Sequence, residues 1–318
     1  MPYREADLRQ VTTVPVSQRR NKVDPSLLAT APGADRSFAA FMRSLPDVLG
    51  ARDLRAVADG VAGAAREGRG VVLLVGGHVV KVGLGPLLRT LIERRVVTHV
   101  ALNGAAAIHD FELAAFGGTS EDVESGLADG TFGMAEETGA EMNAAIATAA
   151  GERHGMGEGL ARALVSRATN PGRDASVLMA AYEHDVPVTV HAAIGAEIIH
   201  QHPAADGAAI GSTSHRDFLR LAGSLPRLHQ GGAVLNLGSA VVLPEVFLKA
   251  LTIARNLESG RPTHFLAADF DMQRQYRPRL NVVQRPTRVG GAGYLLTGQH
   301  EWLLPLLVWG ILDVMDGR

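Results

Sequence analysis

Apolar residues follow two different periods along this chain, and the change from one to the other predicts its elements. From Ser37 to Glu67 they recur at helical spacing, which predicts two helices. The run 70–77, GVVLLVGG, is short, unbroken and closed by glycines, as expected of a strand buried on both faces. A helix is then expected at 83–95 and a second strand at 96–104.

The same alternation continues through the rest of the chain and predicts its fold class. Further strands are expected at 186–195, 231–239 and 264–270, and helices at 244–258 and from Gln299 onward. Alternating buried strands and helices predict a Rossmann-like α/β fold, a mostly parallel sheet with helices on both faces.

One domain is expected to contain all these elements. No Ser/Gly-rich or Pro-rich linker interrupts residues 37–318, so they are predicted to form a single α/β domain. Residues 1–36 are expected to form an irregular N-terminal arm, because turn formers occur at Asp24-Pro25 and Pro32-Gly33.

Composition excludes several classes of function. A hydrophobic share of 46% with 20% charged residues is typical of a folded protein with a large core. A net charge of -2 gives no reason to expect a nucleic-acid partner. Since Cys is absent, thiolate zinc sites, iron–sulfur clusters and Cys nucleophiles are excluded.

No membrane partner is expected. The most apolar stretch, Trp302 to Met315, is shorter than the roughly 20 residues of a spanning helix. It also contains Pro305 and Asp313, and is therefore interpreted as a buried helix. The first residues lack an apolar signal-peptide segment, so we expect a cytoplasmic protein.

Small and polar residues follow nearly every predicted strand. In open α/β sheets, ligands bind outside the carboxyl ends of the strands. Glycines there permit close backbone approach, and a following helix N-terminus supplies N–H groups for a phosphate. The residues predicted on this basis to bind a nucleotide cofactor are Gly76, Gly77, His78, Lys81, Asn103, Gly104, Gly238, Ser239 and Asp269. The simpler alternative is that each glycine only permits a turn, and neither GxGxxG nor GxxxxGK[ST] occurs.

Histidines and carboxylates near the same ends are candidates for acid–base chemistry. The candidate catalytic residues are His109, Asp110, Glu137, His191 and His200. Asp110 is equally suited to capping a helix, and Glu137 to a solvated helix face. The histidines have a structural alternative too, hydrogen bonding across a loop.

A divalent metal site is a second possibility for the histidine-rich segment. His191, His200 and His202 lie within a dozen residues of one another, with Asp206 close behind. Neutral imidazoles and a carboxylate suit zinc, iron or manganese. A metal-dependent hydrolase or lyase is therefore an alternative function.

The order of these motifs resembles deoxyhypusine synthase, a family whose sheet binds NAD and whose lysine forms an imine with an aminobutyl group from spermidine. The resemblance runs from about residue 70 to the C-terminus. The segments that carry it are Gly76–Gly83, Asn103-Gly104-Ala105-Ala106 with His109-Asp110, Gly238-Ser239-Ala240, Ala267-Ala268-Asp269, Arg277-Pro278 and Gly298-Gln299-His300. It implies an NAD cofactor and a homo-oligomer, since the resembled family forms tetramers with sites between subunits.

This sequence differs from the family at the residue that carries out the family's covalent chemistry. About Pro286 stands where the imine-forming lysine belongs, and no lysine follows Lys249. Arginine cannot replace that lysine, because it stays protonated. The sequence therefore predicts a deoxyhypusine synthase-like protein, an NAD-binding enzyme of transferase or oxidoreductase type that acts on a small, amine-containing substrate but does not form deoxyhypusine. A non-catalytic nucleotide sensor is the remaining alternative.

Overall fold

The computed structural model describes residues 3–317, and its centre is a six-stranded sheet. The strands are β1 Val71–Val75, β2 His99–Asn103, β3 Val188–His191, β4 Ala233–Leu237, β5 Leu266–Asp271 and β6 Ala292–Thr297. All neighbouring strands pair in parallel, in the order β3-β2-β1-β4-β5-β6. This confirms the predicted parallel α/β sheet. The strand order reverses between β1 and β4, where ligands bind in folds of this kind.

Helices connect the strands and cover both faces of the sheet. They are α1 Phe38–Ser44, α2 Leu49–Arg66, α3 Gly77–Lys81, α4 Gly85–Glu93, α5 Gly104–Phe116, α6 Val123–Asp129, α7 Glu136–Gly151, α8 Met156–Ser166, α9 Val177–Glu183, α10 Gly207–Ser224, α11 Val242–Leu257, α12 Arg285–Thr287 and α13 His300–Met315. A π-helical turn, Pro278–Gln284, leads into α12. Three short 3₁₀ turns at Leu8–Gln10, Val16–Gln18 and Pro25–Leu27 interrupt the otherwise irregular, exposed residues 3–36. Residues 1, 2 and 318 lie outside the described part.

The core lies on the two faces of the sheet because successive side chains of a strand point in opposite directions. Val71, Leu73 and Val75 of β1 belong to the larger apolar cluster, which also contains side chains of α2, α5 and α13. Val72 and Leu74 belong to the second cluster, with side chains of α11. Both faces of β1 are therefore buried from solvent, which explains its uninterrupted apolar run.

The structure corrects the cap predicted for the helix after β2. The cap of α5 is Asn103, whose Oδ1 accepts from the N–H of Ala106 at 2.9 Å. Asp110 was the candidate for that role, but it lies in the middle of α5. The next helix, α6, begins at Val123 and is capped by Asp122, which accepts from the N–H groups of Glu124 and Ser125.

Candidate functional site

The carboxyl ends of β1 and β4 meet in direct backbone contact at the strand-order reversal. Gly76 donates its N–H to the carbonyl of Leu237 at 2.9 Å. A Cβ added to Gly76 would lie 2.2 Å from the carbonyl oxygen of Gly238, closer than real Cβ atoms come. Gly238 itself has a φ of +68°. Glycine is thus required at both positions for the turns to meet.

Buried polar atoms without partners surround this meeting point. His300 donates from Nε2 to the carbonyl of Phe270 at 3.1 Å, which leaves Nδ1 as a lone-pair acceptor with no donor. Asn236 donates from Nδ2 to Asp269 at 2.7 Å, and its Oδ1 has no donor either. His78, whose ring centre is 5.4 Å from that of His300, also has a buried Nε2 without a hydrogen bond. A carboxylate oxygen of Glu301 lies 4.0 Å from that nitrogen. Orphaned buried polar atoms are rare in native proteins and need an explanation.

These orphaned atoms suit the chemistry of a dinucleotide. Ribose hydroxyls and a carboxamide offer the donors that Asn236 Oδ1 and His300 Nδ1 lack. The residues at the β1, β4 and β5 ends therefore fit an NAD molecule in donor and acceptor type. This end of the sheet is closely packed: His300 and Val79 both come close to Gly238, and Asn236 and His300 are 0% and 1% exposed.

Asp269 and Ser239 complete this end of the sheet. Asp269 is 3% exposed, and burial raises the pKa of its carboxyl to about 7, with the Asp271 carboxylate adding to the rise. Ser239 accepts the N–H of Leu243 at 3.2 Å and so holds the start of α11. With its pKa near neutrality, Asp269 can exchange a proton at physiological pH.

A second polar site lies at the end of β2, and we name it the acidic cavity. It has a volume of about 220 Å³, and its charged or titratable lining residues are Lys81, His109, Glu112, Glu121 and Glu197. Three carboxylates thus face one lysine. At ~30 Å³ per water, the volume accommodates a ligand the size of about seven water molecules.

Hydrogen bonds fix the carboxylates of the acidic cavity. Glu112 accepts from the hydroxyls of Thr119 and Thr138. His109 Nδ1 lies 2.8 Å from the same Thr119 hydroxyl. Burial lowers the pKa of His109, and the neighbouring Lys81 ammonium lowers it further. His109 is therefore held neutral, a proton acceptor beside the cavity.

Glu197 is the least satisfied group of the acidic cavity. Its side chain is 6% exposed, and Oε1 accepts the N–H of Ala193 at 2.9 Å. The other oxygen, Oε2, is buried without a hydrogen-bond donor. It faces His200 Nδ1 at 3.1 Å, but that nitrogen already accepts the N–H of Gly195 and so presents a lone pair. Burial accordingly raises the pKa of Glu197.

Gly104 allows Glu197 to approach α5. A Cβ on Gly104 would lie 2.3 Å from the carboxyl group of Glu197, so the first turn of α5 and this carboxyl group are in contact. The side chain of Asn103, predicted to bind the cofactor, is engaged in capping α5. Gly77 is likewise explained by packing, because a Cβ there would meet Ala105 at 2.8 Å.

Two of the predicted catalytic residues lie away from both sites. Asp110 is fully buried, and its oxygens accept from Ser176 Oγ at 2.7 Å and from the N–H groups of Val177 and Leu178 at 2.7 and 3.1 Å. It joins α5 to the start of α9, which corrects the prediction of an acid–base Asp110. Glu137 is exposed in the first turn of α7 and does not line the acidic cavity.

The predicted metal ligands do not come together. His191 is buried and bonded to Thr189, whereas His202 Nδ1 accepts the N–H of Ala204. Asp206 caps α10. Within residues 3–317 no group of three His, Cys, Asp or Glu side chains has the arrangement of a metal site. The metal alternative is therefore wrong for these four residues.

The sequence reasoning missed Glu112 and Glu121 as site residues. Glu112 follows His109 by three positions, so the two share a helix face, whereas Asp110 points elsewhere. That spacing could have identified Glu112. Glu121 precedes α6 and accepts the N–H of Gly133, which lies 12 positions further along the chain. No local sequence pattern indicates this contact.

No family model and no curated protein matches this sequence, but solved structures share its fold. A protein described as a conserved LOR/SDH protein from Methanococcus maripaludis S2 is 14% identical, with a TM-score of 0.51 over 84% of this chain and 71% of its own. AgrE, solved as a ternary complex with ornithine and NAD⁺, is 15% identical, with a TM-score of 0.52. This chain covers 35% of AgrE, and the match spans 85% of this chain.

A protein described as a deoxyhypusine synthase from Entamoeba histolytica is 12% identical, with a TM-score of 0.49 over 91% of this chain and all of its own. No helix within the described residues is long and apolar enough to cross a membrane. At these identities the resemblance to solved proteins is one of α/β fold alone.

Proposed function

We propose that this protein is a deoxyhypusine synthase-like, NAD-binding enzyme that acts on a small amine-bearing substrate and does not form deoxyhypusine. The observation that carries the proposal is the acidic cavity, where the buried Oε2 of Glu197 lacks a donor. An ammonium group supplies three N–H donors and a positive charge, and so satisfies that oxygen.

The charges of the cavity favour this class of ligand over others. Glu112, Glu121 and Glu197 outnumber Lys81, so a cation is attracted and a simple anion is repelled. Lys81 offers a place for a carboxylate, so a basic amino acid fits as well as a diamine. The AgrE complex with ornithine and NAD⁺ supports the pairing of such a substrate with this fold.

NAD is assigned to the ends of β1, β4 and β5, where the orphaned atoms lie. When bound, its nicotinamide would accept a hydride from the carbon that bears the amine. Side chains of the protein would bind the ammonium group and accept its protons. Glu197 holds the ammonium group, and neutral His109 removes a proton from it. Asp269, with its pKa near neutrality, is a second proton acceptor at the cofactor end.

Calorimetric titration with ornithine and with putrescine tests the amine site. We expect both to bind the wild-type protein, and Glu197→Gln to weaken binding by about 1.5–3 kcal/mol, the typical contribution of a hydrogen bond to a charged group. Glu258→Gln, at an exposed glutamate far from the cavity, is the matched control and should bind as the wild type does. Equal affinity of the Glu197→Gln variant would refute the assignment.

We further propose that the protein assembles with copies of itself. Trp302 and Trp309 of α13 are 52% and 56% exposed, and Leu8, Val14 and Val16 of the arm are more exposed still. Trp302 and Trp309 lie seven positions apart in α13 and so share one helix face, and an exposed apolar face of this kind is typical of an interface. Light scattering should give a mass that is a multiple of one chain, and a strict monomer would contradict this.

A further inference from the structure

A second cavity lies at the end of β3, and it differs from the acidic cavity in having no Asp, Glu, Lys or Arg side chain in its wall. We name it the neutral cavity; its volume is about 230 Å³. The lining residues used below are His191, Ile194, Ile210, Ser214, His215 and Phe218. Asn103 at the end of β2 pairs in register with His191, so the cavity adjoins the edge of the sheet that carries the proposed cofactor site.

His191 is the buried polar group of this cavity. It is 3% exposed, and its Nε2 lies 3.0 Å from the hydroxyl of Thr189. That hydroxyl lies 3.0 Å from Nε2 of His99, a fully buried ring on the adjacent strand. Within residues 3–317 the other nitrogen of His191, Nδ1, has no recorded hydrogen-bond partner, and His191 lines the cavity. We infer that Nδ1 is the nitrogen available to a ligand.

The chain from His99 through Thr189 to His191 fixes which nitrogen carries the proton. His99 Nδ1 is buried without a partner. An unpaired N–H is rarer in protein interiors than an unpaired acceptor, so His99 carries its proton on Nε2 and donates it to Thr189. The single hydroxyl proton of Thr189 then goes to His191 Nε2. His191 must therefore carry its own proton on Nδ1.

His191 stays neutral in this arrangement. Burial lowers the pKa of His191 to about 3, and burial together with the neighbouring His191 lowers that of His99 to about 3. Nδ1 of His191 is thus a neutral donor at physiological pH. Ser214 adds no second donor, because its hydroxyl accepts the N–H of Ala192 and donates to the carbonyl of Val190.

The walls define the rest of the ligand. Ile194, Ile210 and Phe218 are apolar, and the ring of His215 lies 6.2 Å from that of Phe218 at the opening. Aromatic rings favour a flat π-system as a partner. At ~30 Å³ per water the volume equals seven to eight water molecules, about the size of a two-ring heterocycle.

We propose that the neutral cavity binds an uncharged, purine-sized heteroaromatic ring through a hydrogen bond from Nδ1 of His191 to a ring nitrogen. The ring is either a free base or the base of a nucleotide. This inference goes beyond the proposed function and does not require it, because it concerns a different cavity and a neutral ligand.

Calorimetric titration with adenine tests the proposal through a matched pair of variants. The amide nitrogen of Asn occupies the place of a histidine Nδ1, whereas that of Gln occupies the place of Nε2. We expect His191→Asn to keep adenine binding within a few-fold of the wild type. His191→Gln should weaken it about tenfold, the effect of one lost hydrogen bond.

Three further measurements keep the test decisive. Imidazole nitrogen NMR should show the His191 proton on Nδ1 in the wild type, independent of any variant's folding. Ornithine titration of His191→Gln should match the wild type, so a failure of the amine site is distinguishable from a failure here. If ADP-ribose displaces adenine, the ring belongs to a nucleotide; if only adenine binds, it is a free base.

Absence of adenine binding at millimolar concentration would overturn the proposal. Equal affinity of the Asn and Gln variants, or a His191 proton on Nε2, would do the same.

Discussion

Replacing Asp110 should weaken the fold without weakening ligand binding. In Asp110→Ala three donors lose their acceptor at once: the hydroxyl of Ser176 and the N–H groups of Val177 and Leu178. All three residues are buried, so water cannot replace the carboxylate. Each orphaned donor costs about 1–3 kcal/mol.

Part of this loss of folding stability is offset, because burial makes the charged carboxylate of Asp110 costly in the native protein. Burial raises the pKa of Asp110 to about 6 from an ordinary 3.8. At pH 7.5 the buried charge therefore costs roughly 3 kcal/mol, at 1.36 kcal/mol per pKa unit. Three orphaned donors outweigh this, and we expect Asp110→Ala to lower the free energy of unfolding by about 2–4 kcal/mol.

Urea unfolding followed by circular dichroism at pH 7.5 measures this change. Asp59→Ala, at an exposed position of α2, is the control and should stay within about 0.5 kcal/mol of the wild type. Ornithine affinity of the folded Asp110→Ala variant should be unchanged. A variant as stable as the wild type, or one that is stable but fails to bind ornithine, would refute the structural role and restore a role in the site.

Two more perturbations test the backbone contact and the buried acids. Gly76→Ala should destabilise the protein by about 1–3 kcal/mol, because the added Cβ meets the Gly238 carbonyl. Gly63→Ala is the control: a Cβ there meets nothing within 4 Å, and the substitution should stabilise α2 by about 0.5–1 kcal/mol. Equal urea unfolding midpoints for the two variants would contradict this prediction. Burial raises the pKa of Asp217 to about 7, so the folded state holds a proton that the unfolded state releases near its ordinary 3.8. The free energy of unfolding should therefore fall as pH rises from about 4 to 7 and level off above pH 7. In urea unfolding curves at pH 5 and 8, Asp217→Asn should show a smaller difference in the free energy of unfolding than the wild type. An unchanged difference would refute the prediction.

The sequence pattern predicted the elements that are buried on both sides and missed those that are not. β1 is a continuous apolar run, and β4 is apolar except for Asn236; the structure has both within the predicted ranges. β6, Ala292–Thr297, was not predicted because it is a half-exposed edge strand whose AGYLLT sequence has no unbroken apolar run. α3 begins at Gly77, and glycine at a helix start looks like a turn in sequence.

The candidate site was predictable only where its residues are local to a strand end. Gly76 and Gly238 do meet, as their positions after β1 and β4 implied. His109 lines the acidic cavity, but its neighbour Asp110 points into the core, since adjacent helical positions face different directions. The contact between Glu197 and Gly104 joins a loop to a helix 93 positions away in the chain, and no sequence period encodes such a contact.

Binding of NAD is the measurement that tests the account most directly. Calorimetric titration of the wild-type protein with NAD should show saturable uptake of one molecule per chain, because the orphaned atoms at the ends of β1 and β4 offer acceptors for its hydroxyl and amide donors. Heats no different from buffer dilution at millimolar NAD would contradict the claim that this sheet edge holds a dinucleotide.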